Sequence, residues 1–351
     1  MAADSLGVLP ALEAMPEQLA AAHEAAGMSI DAGSLPKPDD FDNVVFMGMG
    51  GSGIVGDIVQ AIGTGTLPVP VVVLKHYRTP GFVGPRTLAF AISYSGDTEE
   101  TVEMASGALD AGARLMVVTS GGALARMAEE RGALLLPCTP DIPMPRLALC
   151  AMLAPVLVVL FRMGMLPEAH ASMVKAQQQL ANRRDQCKPE VAAPANPARE
   201  LARRIDRTIP LIHGAGGLGA VAAMRWKQSI NENAKAPAFW NSYPELDHNE
   251  ICAWGQHGDV TRQILTLVSL RHGMEHERLE ARLRLTQEII QEAFVQVLEV
   301  DSVGETRLGQ LLDLIYLGDW TSAYLALDND VDPGPIDAIA QLKAALSAAA
   351  K

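Results

Sequence analysis

Two stretches of the chain combine hydroxyls with bare backbone in a way suited to holding an anion. In the first, Gly48-Met49-Gly50-Gly51-Ser52-Gly53 follows the apolar run Val44-Val45-Phe46 and leads into a helical pattern through Ile54, Val55, Ile58 and Val59. Glycines allow a sharp turn and a close backbone approach. The helix start behind them presents unsatisfied N–H groups to the same place, and Ser52 adds a hydroxyl donor. In the second, Ser93-Tyr94-Ser95-Gly96-Asp97-Thr98 follows the apolar stretch 88–92 and opens a helix headed by Glu99-Glu100. Helix capping needs only one of Ser95, Asp97 or Thr98. Hydroxyls at 93, 95 and 98 beside a hydroxyl-bearing glycine turn predict several donors converging on phosphate oxygens.

A second glycine turn, His213-Gly214-Ala215-Gly216-Gly217-Leu218-Gly219, repeats the first, with Leu218 in the place of Ser52. Both turns fit G-x-G-x-x-G, so a dinucleotide must be considered. A nicotinamide site needs an acid at the end of the following strand, and Lys75 and Asn241 stand there instead. No P-loop pattern is present. The second turn is read as strand–helix packing only.

These motifs sit in an α/β rhythm. Apolar strands are predicted at 44–46, 69–74, 88–92, 115–118 and 134–136, with helices after Ser52 and at 98–109, 124–131 and beyond Arg146. Such alternation indicates a parallel sheet covered on both faces. A polar helix and a linker with Pro189, Pro194 and Pro197 follow. The pattern then restarts, with strands at 209–212, 238–240, 264–267 and 295–300 and helices at 275–291, 306–325 and 335–349. The fold class expected is α/β, two parallel-sheet αβα sandwiches related by internal duplication. The division expected is a helical arm over 1–38, a first domain over 39–165, a helix and linker over 166–200 and a second domain over 201–351.

The 351 residues carry a formal charge of -13 and are 49% hydrophobic. That charge disfavours nucleic acid as a partner, so a bound anion must rely on local donors. Cys138, Cys150, Cys187 and Cys252 are widely spaced, which fits a reduced, cytoplasmic setting. The N-terminus lacks a signal-peptide pattern. The longest apolar run, 147–161, is short for a membrane span and contains Pro155, so it reads as a buried helix. His272 and His276 have i, i+4 spacing but no third ligand pattern, so capping and surface roles are expected rather than a metal. No cofactor is called for.

The turn Gly50–Gly53, the Ser93-x-Ser95-x-x-Thr98 loop and the duplicated architecture resemble the sugar isomerase (SIS) fold. The stretch Trp226-Lys227-Gln228-Ser229-Ile230-Asn231-Glu232-Asn233-Ala234-Lys235, with Glu245-Leu246-Asp247-His248-Asn249-Glu250, is similar to the bifunctional phosphoglucose/phosphomannose isomerase family. The resemblance implies that Gly51, Ser52, Ser93, Ser95 and Thr98 hold a sugar phosphate. It makes Glu232 the base, His248 the ring-opening residue, and Arg146 and Lys343 supporting cations. It also implies a homodimer in which the histidine reaches the neighbouring subunit's site. Physically, a partly buried carboxylate can shuttle a proton between C2 and C1. An imidazole can trade protons at neutral pH, and a fixed guanidinium suits an enediolate oxygen. Asp332-Pro333-Gly334-Pro335 lacks the threonine frequent near Gly334 in the family, a residue linked to handling both C2 epimers. Competing readings are an isomerase restricted to mannose 6-phosphate or an amino-sugar phosphate, and a sugar-phosphate-binding protein without turnover.

Overall fold

The computed structural model describes residues 3–349. The first two residues of the expected arm and the last two of the expected second domain lie outside the described residues. The arm forms two helices, α1 (Val8–Glu13) and α2 (Met15–Ser29). Val8, Leu12, Met15 and Leu19 bury one side of it. Its docking is specific as well as hydrophobic. Gln18 Nε2 donates to the Leu147 carbonyl and Oε1 accepts from the Ala151 N–H, both at 3.0 Å.

The first half runs β1 (Asn43–Met47), α3 (Gly50–Gly63), β2 (Val71–Leu74), β3 (Thr87–Ile92), α4 (Glu99–Asp110), β4 (Arg114–Val118), α5 (Gly122–Arg131) and β5 (Leu134–Leu136). All the strands are parallel, in the order β2-β1-β3-β4-β5. Along β1, Val44 and Phe46 face one core while Val45 and Met47 face another, as a sheet covered on both sides requires. The order reverses between β1 and β3, and the crevice at their C-terminal ends is where open α/β sheets bind ligands. The Gly48–Gly53 turn and the Ser93 loop flank that crevice.

Three helices connect the halves: α6 (Leu149–Arg162), α7 (Ala169–Cys187) and α8 (Pro197–Ile205). The apolar run around Pro155 is the fully buried core of α6. Although α7 reads as polar, it buries Met173, Ala176 and Leu180, so it is a packed element. The second half comprises β6 (Ile209–Ala215), α9 (Gly216–Ser229), β7 (Phe239–Tyr243), α10 (Gly258–Ile264), β8 (Leu265–Arg271), α11 (Glu277–Ile290), β9 (Gln296–Asp301), α12 (Arg307–Asp328) and α13 (Asp337–Ala349). Its sheet is also parallel, in the order β7-β6-β8-β9.

Helix α12 packs against α7, α8 and α9 and is buried from Leu308 to Ala326. A helix apolar all round belongs in a core, and each acid within this stretch has a buried cationic partner: Asp313 with Arg183, Asp319 with Arg225. The glycine-turn helices α3 and α9 pack on each other across the two halves, so one core is continuous through both sheets. Among the described residues no helix is long and apolar enough to cross a membrane.

Candidate active site

The glycine turn is a packing solution that leaves Gly50 exposed and Gly51 partly exposed. A Cβ on Gly53 would lie 2.4 Å from the Gly48 carbonyl oxygen, so strand and helix meet closer than any side chain permits. Gly51 faces the site, and a Cβ there would stand 3.0 Å from Arg146 Cα. Ser52 is buried, and its Oγ accepts from the Tyr94 N–H at 3.2 Å. Ser93 Oγ accepts from the Gly96 N–H at 3.2 Å and shares a 2.9 Å bond with Thr98 Oγ1. Ser95 is exposed, and its Oγ lies 3.4 Å from the Asp97 N–H. None of these hydroxyls caps α4: Thr98 occupies the N-cap position, but its side chain makes no cap bond. Asp97 instead accepts from Ala123 N–H at the start of α5. The backbone thus fixes the hydroxyl oxygens of Ser52 and Ser93 by donating to them.

Arg146 lies in a short 3-10 turn, 145–147, ahead of α6, and is almost fully buried. Its Nε donates to Asn233 Oδ1 at 2.8 Å, and its Nη2 donates to the carbonyls of Pro333 and Gly334 at 2.7 and 2.6 Å. Burial pulls the guanidinium below its ordinary pKa, the charge of Glu232 opposes that pull, and Arg225 adds to it. A planar fork satisfied in this way is held rigidly.

Glu232 lies where α9 ends. The helix widens there into a single π-turn, Ile230–Ala234, closed by Lys235 in the left-handed conformation at φ 53°. Such turns recur at functional sites. Asn231 Nδ2 donates to the Ala236 carbonyl and the Asn233 amide is buried, so both neighbours of Glu232 are fixed. Its own carboxylate is half-buried and has no hydrogen-bond partner among the described residues. It faces a 530 Å³ cleft also lined by Asn231, Lys235, Asp332 and Ile336. Lys235 Nζ donates to the Asp332 carbonyl at 2.7 Å. Burial lowers its pKa, with Arg146 adding to the effect. Sequence reasoning missed Lys235 as a site residue, although it ends the quoted motif.

His248 and Lys343 are not brought to this cluster within one chain. His248 is exposed in the segment after β7. Its neighbours are tied down: Asp247 accepts from Thr286 Oγ1 and Arg282 Nη1, and Glu250 accepts from Asn241 Nδ2 and lies 2.8 Å from His213 Nε2. Lys343 is exposed on α13, beyond Ile339, the last residue of that helix to line the cleft. Neither side chain has a hydrogen bond or ion pair among the described residues.

The duplicate crevice between β6 and β8 is filled by protein. His272 Nε2 donates to the Ala215 carbonyl at 3.0 Å, and its Nδ1 accepts from Met274 N–H. Burial holds that imidazole below its ordinary pKa. His276 caps α11 by accepting from Arg278 N–H.

Residues 194–346 match the model of the bacterial phospho-glucose isomerase C-terminal SIS domain. The chain is 34% identical over 329 residues to the bifunctional phosphoglucose/phosphomannose isomerase of Caldicellulosiruptor bescii, a match covering 94% of this chain and 96% of that one. The chain belongs to the bifunctional phosphoglucose/phosphomannose isomerase family. A member from Aquifex aeolicus is 32% identical over 307 residues, covering 86% of this chain and 90% of its own length. The fold is shared more widely. The C-terminal domain of glucosamine-fructose-6-phosphate aminotransferase from Francisella tularensis superposes with a TM-score of 0.66 at 17% identity, covering 93% of this chain and 97% of that one. For this isomerase family member, the structure places Ser52, Ser93 and Thr98 at the first crevice and links Gly51 to Arg146 and Arg146 to Asn233, the neighbour of Glu232.

Proposed function

We propose that this isomerase interconverts glucose 6-phosphate, mannose 6-phosphate and fructose 6-phosphate through a cis-enediol. The phosphate ester sits against the α3 N-terminus, with Ser52, Ser93, Ser95 and Thr98 donating to it. Glu232 takes the proton from C2 and returns it to C1, or the reverse. Among the described residues its carboxylate makes no hydrogen bond, and its neighbours Asn231 and Asn233 are held. Arg146 stabilises the oxygen on which enediolate charge develops. Lys235 adds a second cation on the cleft wall. The enzyme acts as a cytosolic homodimer in which His248 of one protomer opens the sugar ring in the site of the other. Lys343, one turn past the cleft lining, is a supporting cation.

The observation that carries this reading is the apposition of Gly51 to Arg146 and of Arg146 to Asn233, beside Glu232. It joins an anion-binding turn in the first half to a carboxylate in the second. The test is turnover of fructose 6-phosphate into both aldose phosphates with EDTA present. Formation of both supports the assignment, and formation of neither overturns it.

A narrower substrate range is the second reading, favoured by Gly334. Leu6 of the arm lies 2.8 Å from where a Cβ on Gly334 would stand, so the chain offers only backbone there. Turnover of one aldose phosphate alone would decide for it.

A further inference from the structure

A closed ring of buried polar groups runs behind Arg146 and the Glu232 turn. Arg146 Nε donates to Asn233 Oδ1 at 2.8 Å, and Asn233 Nδ2 donates to Ser322 Oγ at 2.9 Å. Ser322 Oγ donates to the Asp319 carbonyl at 2.8 Å. The Asp319 carboxylate pairs with Arg225 at 3.4 Å, and Arg225 Nη2 returns to the Arg146 carbonyl at 2.6 Å. Ser229, in the last turn of α9, donates to the same Asp319 oxygen at 2.5 Å. Arg146 is therefore held at its guanidinium and at its backbone by opposite arms of one ring. Asn233, next to Glu232, is one of the links.

Stability alone is a poor account of this ring. An ion pair taken wholly out of water costs desolvation that its attraction barely offsets, and apolar residues of similar volume often serve as well. This pair is also incompletely satisfied: Arg225 Nε and Nη1 and Asp319 Oδ2 are buried without hydrogen-bond partners among the described residues. What the ring supplies is a fixed relation between three elements, the 145–147 turn, the π-turn and α12.

We infer that Arg225 and Asp319 are positioning residues for the isomerisation, holding Arg146 and the Glu232 carboxylate in register. Neither touches substrate. Displacing a reacting group by about 1 Å costs on the order of a hundredfold in rate, so a relaxed ring acts on the proton-transfer step and leaves phosphate binding intact. The inference rests on Glu232 being the base.

The test compares the double variant Arg225→Leu/Asp319→Leu, which removes both charges together, with Asn233→Ala, which opens the ring elsewhere and leaves the pair in place. The expected result for both is a fall in kcat of about tenfold to a hundredfold, with KM for fructose 6-phosphate changed less than about threefold. The isotope effect on kcat with C2-deuterated glucose 6-phosphate should rise, because proton transfer becomes more fully rate-limiting. A folded double variant with native kcat and an unchanged isotope effect would overturn the inference. If the double variant does not fold, Asp319→Asn, which keeps the shape of the side chain and removes the charge paired with Arg225, decides on the same two readouts. Glu232→Gln runs alongside: native turnover there removes the base assignment itself. Its inactivity, with native ring variants, removes only the ring.

Discussion

Arg146 depends most on its fork, with Nε on a side-chain amide and Nη2 shared between two carbonyls. A lysine has no second nitrogen to spread over those acceptors. Arg146→Lys is expected to lower kcat by about tenfold to a hundredfold, ~1.4–2.8 kcal/mol of transition-state stabilisation. Steady-state assay with fructose 6-phosphate measures it. Gly51 makes a separate prediction. The Cβ of Gly51→Ala would press at 3.0 Å on the backbone of Arg146, so binding and catalysis should both suffer, KM rising and kcat falling by several-fold each. Ser52→Ala, which removes the proposed phosphate donor together with the acceptor of the Tyr94 N–H, should raise KM by about tenfold, near 1.4 kcal/mol, with a smaller effect on kcat. The grouping of the Ser52, Ser93 and Thr98 hydroxyls was legible in sequence because two of them follow one strand end and the third sits in the neighbouring glycine turn. Asp319 and Lys235 were not read. The only trace of Asp319 is an acid within an otherwise apolar helical run, and a lysine after a motif resembles any solvated lysine.

At the scale of elements, the segment carrying His248 is held by two anchors that leave the histidine itself outside. Glu250 is the inner anchor, between Asn241 and the fully buried His213. Burial pushes its carboxyl up, but the bonds from His213 and Asn241 outweigh burial and leave the pKa below its ordinary value. A carboxylate depressed in the folded state stabilises above its unfolded pKa, and that stability is lost as pH falls through the folded value. The melting temperature of the parent should exceed that of Glu250→Gln most above about pH 5, with the gap closing as the pH falls toward the depressed value. Thermal melts at a series of pH values measure this. Strand and helix placement followed from apolar runs and glycine turns, and most boundaries fall within a few residues of the expected ones. The π-turn at 230–234 and the short helices over 245–264 were not legible, because neither has the sustained periodicity of a regular element. The polar helix expected after residue 165 is α7, and small residues such as Ala176 let it bury a face without a strong apolar signal.

At the scale of the molecule, the candidate site draws on both halves, through the contact of Arg146 with Asn233. Exposed Phe239 and Trp240 on the edge strand β7 lie on the element that leads into the His248 segment. The proposed exchange of His248 requires a symmetric dimer, and this exposed edge is a surface such a dimer could bury. Mixing Glu232→Gln with His248→Ala, each inactive alone, should then restore activity to roughly a quarter of the parent level after random subunit exchange, since half the dimers are mixed and each has one intact site. No recovery, with mixed dimers demonstrated, would place the histidine in its own chain's site or outside the reaction. The duplication was legible from the paired glycine turns. The apposition of Arg146 to Asn233, 87 positions apart, was not, because only the packing of α3 on α9 creates it.

The most direct test of the account is the rate at which Glu232→Gln converts fructose 6-phosphate, with binding of the phosphate ester followed in parallel. An intact cradle without its base predicts unchanged binding and a loss of turnover on the order of a thousandfold. Turnover within about tenfold of the parent would contradict it.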